Sequence, residues 1–330
     1  MDPAVLQQIF FNTLKHSLPS NISMVDEIAE VLKIGNDSVY RRIRGETAIN
    51  IFELKLLCDH FQISLDEVLQ LKNDAVVFRA PGINGEVGSF GEYLKGILGQ
   101  LKYFNGFKNK QLLYFCKDMT FFHFYLYPEI ASFKTFFWIK TIQNHPEYQQ
   151  KSFSLEESVF EDCFAIGQEI IREYNQIPCS ELWNYESINS SISQIEYYRD
   201  AGIFANPSDL SIVVDSLLKT LDHLQLQTEK GFKFMPGSPD VSYKAPLRLY
   251  VNEVVLGSNT ILAELDDTRL SIITYSVLSY LLTRDPRFND NAFNSFNNLV
   301  SRSVLISSTG ERERNKFFRS LKEKVRRLKN

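Results

Sequence analysis

The twenty residues "EIAEVLKIGNDSVYRRIRGE" (27–46) decide how the first part of this chain reads. Ile28, Val31 and Leu32 recur at helical spacing, Gly35 interrupts, and Val39 and Ile43 then sit four apart. That is the pattern of two short helices joined by a tight turn, each with one buried face. Asn36 or Asp37 is placed to cap the second helix, and Gly45, tolerant of left-handed backbone, to end it. Arg41, Arg42 and Arg44 ride on that second helix, away from its apolar side.

The pattern extends to both sides. Asp2-Pro3 opens a helix with Val5, Leu6, Ile9, Phe10 and Leu14 on one face, and Leu18-Pro19 stops it. Ser23 with Asp26 resembles a capping box ahead of the helix that holds Val25 and Ile28. Asn50 with Glu53 caps a fourth helix carrying Leu54, Leu57, Cys58 and Phe61. Ser64 with Glu67 caps a fifth, carrying Leu65, Val68 and Leu69. Residues 1–72 therefore read as a five-helix domain.

Five short helices, the second and third joined by a glycine-containing turn, resemble the DNA-binding domain of Cro-like (XRE-type) repressors. The stretch 27–46 is similar to the helix-turn-helix of BetR-like bacterial regulators. Ile28, Ala29, Leu32 and Ile34 fill the apolar and small positions. One position departs: the glycine common four residues after the alanine is Lys33 here. Glycine comes at Gly35, so the turn reads as one residue longer. The resemblance implies that the third helix lies in the major groove of double-stranded DNA. It implies that Asn36, Asp37, Ser38, Arg41 and Arg42 face the bases and Arg44 a phosphate, while Val39 and Ile43 hold the helix to its core. The guanidinium fork matches a guanine edge, so Arg41 or Arg42 is the expected base reader. A homodimer is implied too, because one short helix reads only a few base pairs. The expected function is sequence-specific transcriptional regulation. Charge argues the other way: residues 1–72 carry seven basic and ten acidic side chains, a net of −3. DNA-binding domains usually show a positive footprint. A protein-interaction module using the same fold without DNA is the alternative that this balance favours.

At 330 residues, with 44% hydrophobic and 23% charged residues, the chain reads as folded and long enough for two domains. A net charge of −4 excludes a broadly basic protein. The four cysteines form no C-x-x-C pair and read as reduced thiols of a cytoplasmic protein. No basic n-region opens the chain, and no run of about 18 apolar residues predicts a membrane span.

Residues 73–89 read as a linker, ending in the glycine-rich "APGINGEVGSFGEY" (80–93). Residues 90–330 read as an α-rich effector and dimerisation domain, which makes the expected fold class mainly α. Helices are predicted over 90–104, 128–145, 155–175, 186–202, 208–229 and 288–305. "QLLYFCKDMTFFHFYLY" (111–127) reads as one or two strands. A small β-hairpin insert is predicted over about 246–275, with turns at Gly257-Ser258-Asn259 and Asp266-Asp267. This part resembles the effector region of uncharacterised bacterial helix-turn-helix regulators, which implies no particular ligand.

No Walker loop, G-x-S-x-G or H-E-x-x-H is present, and the five histidines are scattered. No catalytic residue, metal ligand or cofactor is therefore expected, although an autoregulated protein with an unrecognised C-terminal activity remains a further reading. Residues 103–138 hold fourteen Phe, Tyr and Trp. That density suits a core, or a pocket for a small-molecule or protein effector lined by Phe121, His123, Tyr125, Phe137 and Trp138. Residues 311–329 carry nine basic and three acidic side chains, with Phe317, Phe318, Leu321, Val325 and Leu328 on one stripe. This basic amphipathic helix, opened by Ser308 and Glu311 as a capping box, suits docking on the body, pairing across a dimer, phosphate contact or a membrane surface.

Overall fold

The computed structural model describes residues 3–19, 22–63, 65, 76–80, 90–156, 160–238, 242–253 and 256–329. Four helices build the N-terminal unit: α1 (Pro3–His16), α2 (Met24–Leu32), α3 (Asn36–Ile43) and α4 (Ile51–Phe61). Phe10, Phe11, Leu14, Ile28, Val39, Leu57 and Ile63 close their own small core. Val5, expected on the buried face of α1, is exposed, and Phe11 takes the inward place. Ser23 caps α2 by accepting from the Asp26 amide. The Asn50–Glu53 capping box of α4 is complete in both directions. All of the predicted fifth helix (64–72) but Leu65, and most of the predicted linker (73–89), lie outside the described residues.

Lys33 corrects the reading of the turn between α2 and α3. It takes the left-handed C-cap conformation itself, with φ 53° and ψ 48°. Gly35 is extended at φ −74° and serves as the N-cap of α3, where Asn36 or Asp37 was expected. Gly45 does need its freedom. Its φ is +78°, and a Cβ there would lie 3.0 Å from that of Ala4.

The expectation of a mainly α fold with a small hairpin is overturned by a seven-stranded mixed sheet. Its strands are β1 (Lys110–Cys116), β2 (Cys179–Trp183), β3 (Leu247–Val251), β4 (Thr260–Leu265), β5 (Thr268–Ser276), β6 (Ser279–Thr283) and β7 (Val304–Leu305). They lie in the order β6-β5-β4-β1-β2-β3-β7. β1, β2 and β3 are parallel, and β4, β5 and β6 form an antiparallel meander on the other side of β1. The predicted insert thus supplies β3, β4 and β5, which lie on opposite sides of β1 in the main sheet. Asp266-Asp267 does join a hairpin. Gly257-Ser258-Asn259 does not, because β3 and β4 are separated by β1 and β2.

The remaining helices are α5 (Phe90–Asn105), α6 (Pro128–Phe137), α7 (Phe160–Tyr174), α8 (Asn189–Asp200), α9 (Pro207–Lys230), α10 (Pro286–Val300) and α11 (Glu311–Arg326). Alternation along the strands divides them between two faces. Leu112, Tyr114 and Cys116 of β1 join the main core. Leu113 and Phe115 point the other way, toward Phe293 and Phe296 of α10. The predicted strand around His123 is instead a tight 3₁₀ turn, Phe121–Tyr125, that follows β1.

The basic C-terminal helix docks on the body. Phe317, Phe318, Leu321, Val325 and Leu328 are all buried in the main core. Lys329 pairs with Asp215 of α9 at 2.6 Å, and Lys324 Nζ donates to the Tyr185 carbonyl at 2.7 Å. Its N-cap is Gly310 at φ 68°, not a Ser308–Glu311 box.

Beneath the parallel strands lies a fully buried carboxylate, Glu181 of β2. Its Oε2 accepts from Trp183 Nε1 at 2.6 Å and from Thr120 Oγ1 at 3.2 Å. Its Oε1 accepts from the Tyr174 hydroxyl and lies 3.3 Å from His123 Nε2. Burial alone pushes Glu181 up. The adjacent imidazole and the hydrogen bonds from Tyr174 and Trp183 outweigh it and hold the carboxyl well below its ordinary range.

The tightest approach in this core is at Gly167 of α7, where a Cβ would fall 1.9 Å from the Tyr125 ring. Tyr125 is itself fully buried and has nowhere to retreat. Gly167→Ala is therefore expected to cost about 2–3 kcal/mol through overpacking, despite the higher helix propensity of alanine. Urea denaturation read by tryptophan fluorescence checks this; an unchanged midpoint would contradict the packing described.

Candidate functional site

Among the described residues, two places carry the features of a site: the outer face of α3, and a cavity at one end of the sheet.

On α3, Asp37, Tyr40, Arg41 and Arg44 are exposed. Their spacing puts them in one outward stripe, with Val39 buried behind it. Asn36 is exposed but turns aside, its Nδ2 donating to Asp26 Oδ1 at 3.0 Å. Ser38 is half-buried. The arginines, equivalent in sequence, differ in place. Arg42 leans back onto α4, where its Nη2 and Nε donate to the two Glu53 carboxylate oxygens at 2.7 and 3.3 Å. A third bond runs from its Nη1 to the Ser38 carbonyl at 3.2 Å. Both partners are only 14% exposed, and the Arg42 bonds hold the Glu53 carboxyl below its ordinary range against its burial. Such a two-point, partly desolvated pair is a structural strut. Arg44 instead makes an exposed pair with Glu46, and Arg41 faces solvent.

Gln7, which sequence reasoning passed over, fixes the end of this helix. Its Nε2 donates to the carbonyls of Arg42 at 2.7 Å and Thr47 at 2.8 Å. Its Oε1 accepts from the Ile49 amide at 2.9 Å. One buried amide thereby ties α1 to the end of α3 and the loop beyond it, satisfying backbone groups that a helix end leaves open.

The cavity measures about 440 Å³, within the range of small-molecule sites. It opens at the carboxyl end of β1, where β1 has parallel β2 on one side and antiparallel β4 on the other. In α/β sheets, crevices form outside the carboxyl ends of strands at such changes of direction. Of the five predicted effector residues, Phe121 and Trp138 line it. His123, Tyr125 and Phe137 do not. His123 faces Glu181, Tyr125 lies under α7, and Phe137 packs on Tyr198 at 5.4 Å between ring centroids.

Polar groups in the wall were not anticipated. Asp118, just past β1, bonds to Asn259 in both directions: its amide donates to Asn259 Oδ1 at 2.9 Å, and Asn259 Nδ2 donates to its Oδ2 at 3.1 Å. The Ser190 hydroxyl donates to its other oxygen. Lys134 of α6 is 2% exposed, yet its Nζ has a single hydrogen bond among the described residues, to Gln194 Oε1 at 2.7 Å. The ammonium sits 4.0 Å from the Phe124 ring centroid. Burial lowers its pKa from 10.5 to about 7, with Asp118 opposing. The aromatic run that surrounds Lys134 in sequence gives no sign that the lysine turns inward.

Family models, curated proteins and solved structures yield no match to this chain. Among the described residues, no helix is long and apolar enough to cross a membrane.

Two outcomes follow from these geometries. Arg42→Ala is expected to destabilise the N-terminal unit by about 1–2 kcal/mol, since it strands a partly buried carboxylate. Arg41→Ala, on the exposed side, is expected to leave the thermal midpoint unchanged. Differential scanning calorimetry of the two variants separates strut from surface residue.

For Lys134, the unfolded amine titrates near 10.5 and the buried one near 7. Across that window the folded state binds fewer protons, so stability rises with pH. The penalty is full below about 7 and gone by about 10.5. Lys134→Met is therefore expected to stabilise the protein by about 2–4 kcal/mol at neutral pH. The gain should vanish as pH rises, and denaturant midpoints measured across that range test the sign.

Proposed function

We propose that this chain is a sequence-specific DNA-binding regulator in which α3 enters the major groove. The observation that carries the reading is the division of labour on α3. Arg42 is spent on Glu53, and Gln7 anchors the helix end. The outward stripe then presents Arg41, whose guanidinium fork makes no ion pair among the described residues. A rigidly held helix with one outward arginine suits base readout, because orientation is fixed before contact. Arg41 is the base reader in this proposal. Arg44 exchanges its exposed partner Glu46 for a phosphate. One helix of eight residues reads too few base pairs for specificity alone, so the regulator acts as a dimer on two half-sites.

A protein-binding role for the same unit has its own support. Ile51 and Phe52, adjacent at the start of α4, are 86% and 64% exposed. With the acidic balance of this unit, they suit a partner protein better than a phosphate backbone.

Selection from a random pool of duplex DNA distinguishes the two readings. The expected result is enrichment of a two-fold symmetric motif. Arg41→Ala should then lose about 1–3 kcal/mol and relax preference at one base pair per half-site. Arg44→Ala should weaken all sequences alike and reduce the log-log salt slope by about one. A pool that emerges unenriched, or an Arg41→Ala protein with undiminished preference, refutes the DNA reading.

A further inference from the structure

The cavity at the carboxyl end of β1 has an unusual chemical balance. Most of its wall is apolar: Tyr93, Ile97 and Leu101 of α5, Phe121, Phe124 and Trp138. Its acid is already used, because both oxygens of Asp118 are held by Ser190 and Asn259. Its one deeply buried base is not. An ammonium has three donors, and Lys134 places one of them, on a neutral amide. Buried charges in folded proteins are paired or coordinated, since an unpaired one is costly. Gln194 and the Phe124 face soften that cost without supplying a counter-charge. The wall also holds Ser190 and Ser191, in the first turn of α8, beside Gln194 of the same helix.

We infer that this cavity binds a small organic carboxylate, with its anionic group on Lys134, beside Gln194 and the serines of α8, and its apolar body against Phe121, Phe124 and Trp138. The ligand supplies Lys134 with a directly bonded counter-ion, whereas Asp118, held by Ser190 and Asn259, acts on it only through space. An amine ligand would meet Lys134 as a like charge, and a neutral one would leave its donors unpaired. Selectivity therefore comes from charge, and the aromatic wall contributes affinity for any apolar body of suitable size. The site names the ligand class for the effector role of a regulator. It also stands apart from DNA binding, since every measurement below uses protein alone.

The test uses phenylbutyrate, its primary amide phenylbutyramide, and phenylbutylamine as probes at neutral pH. Binding is read by protein NMR on the Trp138 indole signal, distinguished from that of Trp183, whose indole is held by Glu181. The carboxylate is expected to bind at least about tenfold tighter than the amide or the amine, as a charge-assisted bond adds to a shared apolar contact. Lys134→Met should abolish that preference while the amide binds as before. Gln194→Glu, which offers Lys134 an internal carboxylate, should also remove the preference and raise the thermal midpoint. Equal affinity for carboxylate and amide overturns the inference, as does absence of carboxylate binding at millimolar concentration. A preference that survives in both variants overturns it as well. Carboxylate binding by a protein that fails to select DNA would leave the site standing and remove only the regulator reading.

Discussion

A carboxylate buried in the middle of a sheet has to be satisfied from every side, and Glu181 is satisfied by almost every element near it. Its partners come from β2 itself, the segment after β1, the 3₁₀ turn and the end of α7. Lys233, also buried, donates to the Tyr174 carbonyl at 2.6 Å and lies 3.5 Å from that ring's centroid. Removing one partner from such a cluster leaves a charge uncompensated, at a cost larger than that of an ordinary packing contact. The arrangement thus fixes one register for the chain between β1 and α6. The same stretch shapes the cavity, because Thr120 and His123 face Glu181 while Phe121 and Phe122 between them, and Met119 just before, line the cavity. A polar knot on one side of the turn and an apolar wall on the other are two faces of a single constraint.

The two parts of the molecule solve different problems. The N-terminal unit holds its short helix α3 in place with a small core, two side-chain caps and the Gln7 clamp. The larger part encloses space, which a sheet with helices on both faces does well. Among the bonds that join them, Thr268 Oγ1 donates to the His16 carbonyl at 2.8 Å, and the Tyr103 hydroxyl donates to that of Ser17. Residues 77–79 run beside β6, with Arg79 and Leu282 bonded in both directions.

How much of this could be read from the sequence depends on what each residue's signal is local to. Caps and helical periodicity are local, so α1 to α4 were legible as elements, although the cap of α3 at Gly35 and the outward place of Val5 were not. So was the apolar stripe of α11. The sheet was not. β2 is buried on both faces, which erases the alternation that marks a strand, and "CSELW" holds a serine and a glutamate where a buried strand is expected to be aliphatic. Strands β3 to β5 were visible as β-rich sequence, but nothing local says that β4 pairs with β1. The site residues split the same way. Aromatic density pointed to the neighbourhood of the cavity, which Phe121 and Trp138 line. It also gathered His123, Tyr125 and Phe137, because a wall and a core use the same side chains. Arg41 and Arg42 are adjacent in sequence, and only the position of Glu53 on the next helix distinguishes them.

The strand order has a consequence in time. β1 pairs with β2 and with β4, which follows it by on the order of 150 residues, and such distant pairings are slow to form. Contacts within the N-terminal unit span far shorter loops. The expected order in refolding is therefore the N-terminal helices first, with β1 waiting for both neighbours and its backbone groups unpaired along two edges. An open strand of this kind, "KQLLYFC", apolar and β-prone, is also the kind that pairs with other chains. Concentration during refolding therefore bears on the yield of the large part far more than on that of the small one.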